Sequence, residues 1–467
     1  MSAVQNLSKL SRAELEAYAA RLEQLLGLKR SSSRNKNSAR EINFKEYGVR
    51  KIALKLAYQG WSFPSGFAAQ PADFSTSSAG KLSGIAFKSV ESALFYALEK
   101  VNLVPNLHWF VGSDGTCATG VSPNRPLSRE KFGETWAVKG WQYARGGRTD
   151  KGVSAIGQVV SLLVRCPPPG TGTNFYDYIH LLNRELPASV RVYAWAPVAD
   201  DFSARFSAYS RTYKYFVPNV FSDEGICSMV AAAKKMVGRH DFANFCKFDA
   251  ETTKGNTERV ILQCTVELAK DEFYRALFPR GILEFTIEGQ AFLYHQVRFM
   301  IALLLEIGRG TENISLVDSL LGLDGSPRID PRPQYVQAPE HPLVLWNIHY
   351  GENEPPWRYA LERDSPWGKC SRNSTVVGIL RPILLQWYAD LTKVIFNGAL
   401  LRRTTHGSPF CKDEGSEAAN EPCAGLAPLM FTHMVDADVH VPIEKRSSSG
   451  LNAEQRIQKV RRLLDRQ

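Results

Sequence analysis

The sequence predicts an α+β fold built on an antiparallel sheet, and three observations carry that prediction. Short apolar, β-branched runs recur at 51–60, 158–164, 190–198, 211–217, 260–268 and 283–289. Stretches with helical periodicity at 83–101, 175–186, 226–238, 291–308 and 313–321 separate them irregularly, without a strict βαβ rhythm. The 467 residues are 44% hydrophobic and 11% aromatic, enough to bury one large core or two moderate ones.

Taken in order, LSRAELEAYAARLEQLLG (10–27) reads as a capped helix. Ser11 and Glu14 form a capping box, Gly27 marks the stop, and Leu15, Tyr18, Leu22 and Leu25 share a stripe. Residues 29–51 follow with eight Lys/Arg against two Glu in a Ser/Asn-rich context. This basic arm suits either a phosphate backbone or a solvated linker. The body starts at Lys51 with the strand KIALKLAYQG. The helix SGIAFKSVESALFYALEKV comes next, with Ile85, Val90, Leu94 and Leu98 near one face. Residues 105–140 lack periodicity and read as a loop insertion. Near the C-terminus, 376–403 reads as a long helix and 404–450 as a disordered polar tract. NAEQRIQKVRRLLDRQ closes the chain as a basic amphipathic helix.

The formal charge of +10 favours a polyanionic partner, nucleic acid before membrane. Eight cysteines lie far apart with no C-x-x-C pair, which argues against a zinc ribbon or a disulfide framework. The most apolar stretches are broken by Glu306 and by Arg381–Pro382, so no membrane helix is predicted. The N-terminus lacks an apolar signal region, and the expected address is cytoplasm or nucleus. A Walker-type phosphate loop is absent from the sequence.

The segment ARGGRTDKGVSAIGQVVSLLV (144–164) sets one carboxylate, Asp150, between Arg148 and Lys151 at a glycine-rich bend before a buried strand. An acid there satisfies turn amides or carries chemistry. Arg298, in HQVRFM, lies on a helix whose Val297, Met300, Ile301 and Leu304 face the core, so its guanidinium requires a partner. In SRTYKYF, strand alternation places Tyr213 and Tyr215 on one face and Lys214 on the other.

Together with YQGWSFPSGFAAQ (58–70), DDFSARFSAYSRTYKYF (200–216), HDFANFCKFD (240–249) and EGQAFLYHQVRFMIALLLEIGRG (288–310), GRTDKGVSA resembles the TruA-type family of tRNA pseudouridine synthases. The likeness runs from about Lys51 to Tyr350. Ser154 places it nearest the eukaryotic branch that modifies positions 38 and 39 of the anticodon arm. The resemblance implies two similar α+β halves sharing one continuous antiparallel sheet, flanked by helices around a central basic cleft. The resemblance places the halves at 51–205 and 206–350, and the residues themselves add a helix and basic arm at 1–50, an extension with a long helix at 351–403 and a largely disordered tail with a terminal basic helix at 404–467. The resemblance also implies a homodimer acting on tRNA, with no cofactor, no metal and no membrane.

Residue by residue, the resemblance makes Asp150 the essential carboxylate. Such a group acts as nucleophile or as base at C2′. Arg298 is expected to pair with it and hold its pKa down. Tyr213 stacks on the target base, Leu343 walls it from beneath, and Arg148 enters the RNA as the base leaves. Arg145, Lys151, Arg205 and Arg211 are expected on the RNA backbone, and His295 as a packed or hydrogen-bonding residue. The chain exceeds the family pattern between Gln70 and Leu82 and at 105–140, and residues 351–467 have no counterpart in it. Two other functions use the same residues: a catalytically inactive tRNA-binding chaperone, or an N-glycosidase pairing Asp150 with Glu288.

Overall fold

The computed structural model describes residues 42–359, apart from 70–86, 106–139 (backbone of two short strands excepted), 169, 172–174, 248–255, 271–279, 324 and 331. It also describes 442–446 and the isolated positions 385, 455 and 458. The chain divides into Met1–Ile42 and Asn43–Gln467, and everything below belongs to the second unit. The expected helices at 10–27, 376–403 and 452–467 and most of the basic arm lie outside the described residues, single positions apart.

The strands are β1 (Gly48–Tyr58), β2 (Phe110–Val111), β3 (Cys117–Ala118), β4 (Ala144–Arg145), β5 (Ser154–Cys166), β6 (Val190–Pro197), β7 (Ser210–Pro218), β8 (Gly238–Asp241), β9 (Glu258–Leu268), β10 (Ile282–Gly289), β11 (Leu343–His349) and β12 (Arg358–Tyr359). The helices are α1 (Val90–Lys100), α2 (Tyr178–Glu185), α3 (Asp223–Lys235), α4 (Gln296–Gly308) and α5 (Ser315–Leu321). Ten strands form one sheet in the order β12-β6-β1-β5-β11-β7-β10-β9-β8, with β4 also on β5. β2 and β3 make a separate ribbon inside the expected loop insertion.

The α+β class is as expected, but the sheet is mixed. β1 runs antiparallel to β5 and β6, and β7 to β10 and β11, whereas β5 and β11 are parallel through Val344↔Ser154 and Leu345↔Ala155. The sequence reading held no strand at 343–349. That short run, PLVLWN, lies between a proline and polar residues, and it becomes a strand because it is paired on both edges.

Local chemistry fixes the element ends. Ser89 caps α1 in a capping box with Ser92, seven residues after the expected start. Ser222 caps α3, three residues before the expected start. Asp223 and Glu224 open that helix and Lys234 and Lys235 close it, matching its dipole. β5 starts at Ser154, four residues earlier than expected. α4 starts at Gln296 rather than 291, because His295 before it adopts a left-handed backbone with φ of 64°.

All thirteen residues of α4 are buried, Arg298 and Glu306 among them. Burying each large aliphatic side chain contributes about 1.5–3 kcal/mol, so this helix is firmly anchored and carries Arg298 with it. Its leucines share one core with Leu283, Phe285 and Ile287, the inward residues of alternating β10. Within the tract expected to be disordered, Ile443 is fully buried in this same core, and its N–H bonds Glu312 Oε1 at 2.7 Å.

Candidate active site

Between β4 and β5 the chain bends through residues 146–153, and both sides of the bend are clamped. Gln158, a polar residue in an apolar strand, accepts from Gly147 N (3.1 Å) and donates to Gly147 O (2.8 Å). Buried Thr149 shares a 2.8 Å hydrogen bond with the Tyr58 hydroxyl. Its carbonyl accepts from Phe67 N, and the turn closes from Val153 N to Asp150 O at 3.2 Å. The YQGWSFPSGF segment is thus a shelf behind the loop. Asp150 itself remains 25% exposed, a carboxylate on a rigid lip.

Gly152 has a φ of 82°, and a Cβ there would lie 2.3 Å from Glu340 Cγ. Its glycine therefore admits both the turn and the close approach of Glu340. Glu340 accepts from Arg298 Nη2 at 2.7 Å, while Arg298 Nε donates to Ala338 O at 2.6 Å. This corrects the expected pairing: the ion partner of Arg298 is Glu340, from the segment that leads into β11. Nothing in APEHPL flags that glutamate locally, and the sequence reading missed it.

The electrostatics of Asp150 are corrected too. Burial pushes its pKa above the ordinary carboxylate value; Arg298 and then Arg148 pull it back, and Glu340 adds to the rise. Burial prevails, which makes Asp150 a stronger base and nucleophile than an exposed aspartate. His295 Nε2 stands 3.5 Å from Asp150 Oδ2. Burial and then the Arg298, Lys247 and Arg332 cations lower the imidazole pKa to about 4, so it is neutral at pH 7. The left-handed backbone at His295 turns the chain into α4 beside the carboxylate.

Tyr213 lies on β7 opposite Leu345, and Tyr215 opposite Leu343. The expected alternation holds, since Lys214 points away to pair with Glu284 over the Trp346 ring. Burial raises the Tyr213 pKa, and the negative charge of Asp150 raises it further. Phe292 meets the Tyr213 ring edge-on at 5.3 Å. A Cβ on Gly147 would stand 3.4 Å from Leu345 Cδ2 and 4.0 Å from the Tyr213 hydroxyl. Tyr213 and Leu345 therefore flank the Asp150 loop. Leu343, 4% exposed, packs in the core with Tyr215.

The expected RNA contacts divide into two groups. Arg148, Lys151 and Arg205 are exposed. Arg145 instead contacts both oxygens of the buried Glu91 at 2.8 and 2.9 Å, beside the Tyr143 hydroxyl, because a buried carboxylate requires a cation. Arg211 spends its donors on the carbonyls of Gly146, Gln290 and Arg205, binding loops to one another. Glu288 accepts from Ser210 Oγ. Among the described residues no cluster of His, Cys, Asp or Glu is arranged to hold a metal ion, and no helix is long and apolar enough to cross a membrane.

Residues 232–351 match a family described as tRNA pseudouridine synthase. The chain is 36% identical to the human tRNA pseudouridine(38/39) synthase over 378 residues, covering 76% of this chain and 68% of that one. The chain belongs to the tRNA pseudouridine synthase family. The mouse tRNA pseudouridine(38/39) synthase is 37% identical over 371 residues, 75% of this chain and 66% of its own length. The Caenorhabditis elegans probable tRNA pseudouridine synthase tag-124 is 30% identical over 349 residues, 70% of this chain and 74% of its own. The match spans slightly less than two thirds of the mouse and bovine relatives, at 66% and 64% of their lengths. The family segment at 232–351 holds His295, Arg298, Glu340 and Leu343. Asp150 and Tyr213 precede it; Asp150 stands 3.5 Å from His295, and Tyr213 pairs with β11 opposite Leu345.

Proposed function

We propose that the protein isomerises uridine to pseudouridine in the anticodon stem-loop of tRNA, at positions 38 and 39. The observation that carries this is a partly exposed carboxylate, Asp150, on a clamped loop beside Tyr213, His295 and the Arg298–Glu340 pair. On this reading the target uridine swings out of the RNA and stacks on Tyr213. Its C1′–N1 bond breaks, the base turns over, and C1′ bonds C5; C5 loses a proton and N1 gains one. The isomerisation balances without a cofactor.

Asp150 serves as nucleophile or as base at C2′, and its elevated basicity suits either role. Exposed Arg148 fills the space the base vacates, and Leu345, opposite Tyr213 and beside Gly147, takes the apolar wall expected of Leu343, which packs in the core with Tyr215. The strands on either side of β11 act as two related halves facing a basic cleft. A homodimer lets one tRNA span both subunits. The sheet order supports the two halves, and the family resemblance supports the cleft and the homodimer.

The test incubates wild-type protein and Asp150→Ala with unmodified tRNA and maps both pseudouridine and free uracil. Pseudouridine at 38 or 39 that vanishes in the variant is the expected result. Released uracil makes the protein a glycosidase, and RNA binding without either product makes it a scaffold; both overturn the proposal.

A further inference from the structure

The loop before β7 presents an aromatic side chain that the reaction above does not use. Phe206 is 81% exposed, more than any other large hydrophobic side chain among the described residues, and Tyr209 nearby is 55% exposed. A lone surface phenylalanine is ordinary. This one sits on a braced support. Phe202 is buried against Tyr350 at 5.1 Å, and the Tyr350 hydroxyl donates to Ala204 O at 3.0 Å. Ala204 N donates to Ser161 Oγ of β5 at 3.0 Å, and Ser207 N to Ser203 O at 2.9 Å. A loop fixed in this way loses little freedom when something binds.

The same loop is tied to the Asp150 loop. The guanidinium of Arg211 bonds Gly146 O at 3.0 Å and Arg205 O at 2.8 Å, so both loops hang from one side chain. Exposed Asp200 and Asp201 precede Phe206 on the same loop, and cations stand nearer the ring. The Arg205 guanidinium lies 5.2 Å from the Phe206 ring, and Arg148 and Lys151 are exposed on the neighbouring loop. A flat aromatic face beside fixed positive charge matches a nucleobase with its phosphate.

We propose that Phe206 is a stacking platform for a base flanking the isomerised uridine, with Arg205 on the adjoining phosphate. This inference rests on the tRNA reading above. Phe206 is 81% exposed whereas Tyr213 is half-buried against Phe292 and the core, so the base on Phe206 is a neighbour of the target and not the target itself.

The experiment uses the full chain and a fluorescent, unmodified anticodon stem-loop RNA, intact or with single abasic sites flanking the target uridine. Phe206→Ala should weaken binding of intact RNA by about 5- to 150-fold. Phe206→Tyr should bind within about twofold of wild type, and the melting temperature of both variants should not change. One abasic position should weaken wild-type binding by the same factor and cost Phe206→Ala nothing further. Phe206→Ala binding as tightly as wild type, or additive losses at every abasic position, overturns the platform while leaving the isomerase reading intact. Wild-type protein that neither binds nor isomerises the RNA overturns both. The wild-type response to abasic RNA stands even for a variant that folds poorly.

Discussion

Asp150 shows how a single side chain is set between competing fields. Burial disfavours its anion, two arginines favour it, Glu340 opposes them, and the outcome is a pKa above the ordinary value. The folded chain therefore holds that proton more tightly than the unfolded one. Stability from this group is present at low pH and declines as pH rises from the unfolded value, about 3.9, through the folded one. Asp150→Asn should melt at or above the wild-type temperature at pH 7 while losing isomerase activity; a lower melting temperature would show that the arginines win. In the wild type, the acid limb of kcat/KM should fall at a pH above that of an ordinary aspartate. Asp150, Tyr213 and Arg298 were legible because each sits in an uncommon string of residues. Glu340 was not, because its role exists only once the chain folds back against Gly152.

At the scale of elements, β11 decides the site. Among the described strands it alone bridges those of 48–197 to those of 210–289, and it sets Leu343 and Leu345 opposite Tyr215 and Tyr213. Sequence periodicity found the long strands and the buried helices, whose apolar spacing is strong. It missed β11, β4, β8 and β12, which are short and owe their conformation to their neighbours. Gly157 of β5 makes the parallel junction possible, since a Cβ there would lie 2.2 Å from Trp346 O and 2.6 Å from Asn347 Cα. Gly157→Ala should cost about 1–3 kcal/mol by overpacking. Activity should fall further than that loss explains, because the loop and its wall move apart. Thermal melting alongside single-turnover rates checks this, and an unchanged rate would show that the junction does not position the chemistry.

Across the whole molecule, 57 basic against 47 acidic residues leave a charge of +10. Arg145 and Arg211 are engaged within the fold, so on the proposed function the attraction for RNA falls to Arg148, Lys151, Arg205 and other surface cations. If about six phosphates are neutralised, tRNA affinity should drop roughly 10³-fold between about 50 and 200 mM salt. Titrations across that range measure it, and a nearly flat response would leave the charge excess unexplained. The central position of a late strand also imposes an order on biosynthesis. A ribosome adding about 5–20 residues per second delivers residue 349 some 10–40 s after Asp150. Until then β7 displays a bare edge and β5 one covered only by the two residues of β4, an invitation to mispairing that a growing polypeptide must survive. Competence for chemistry arrives only with the last strand to fill that gap.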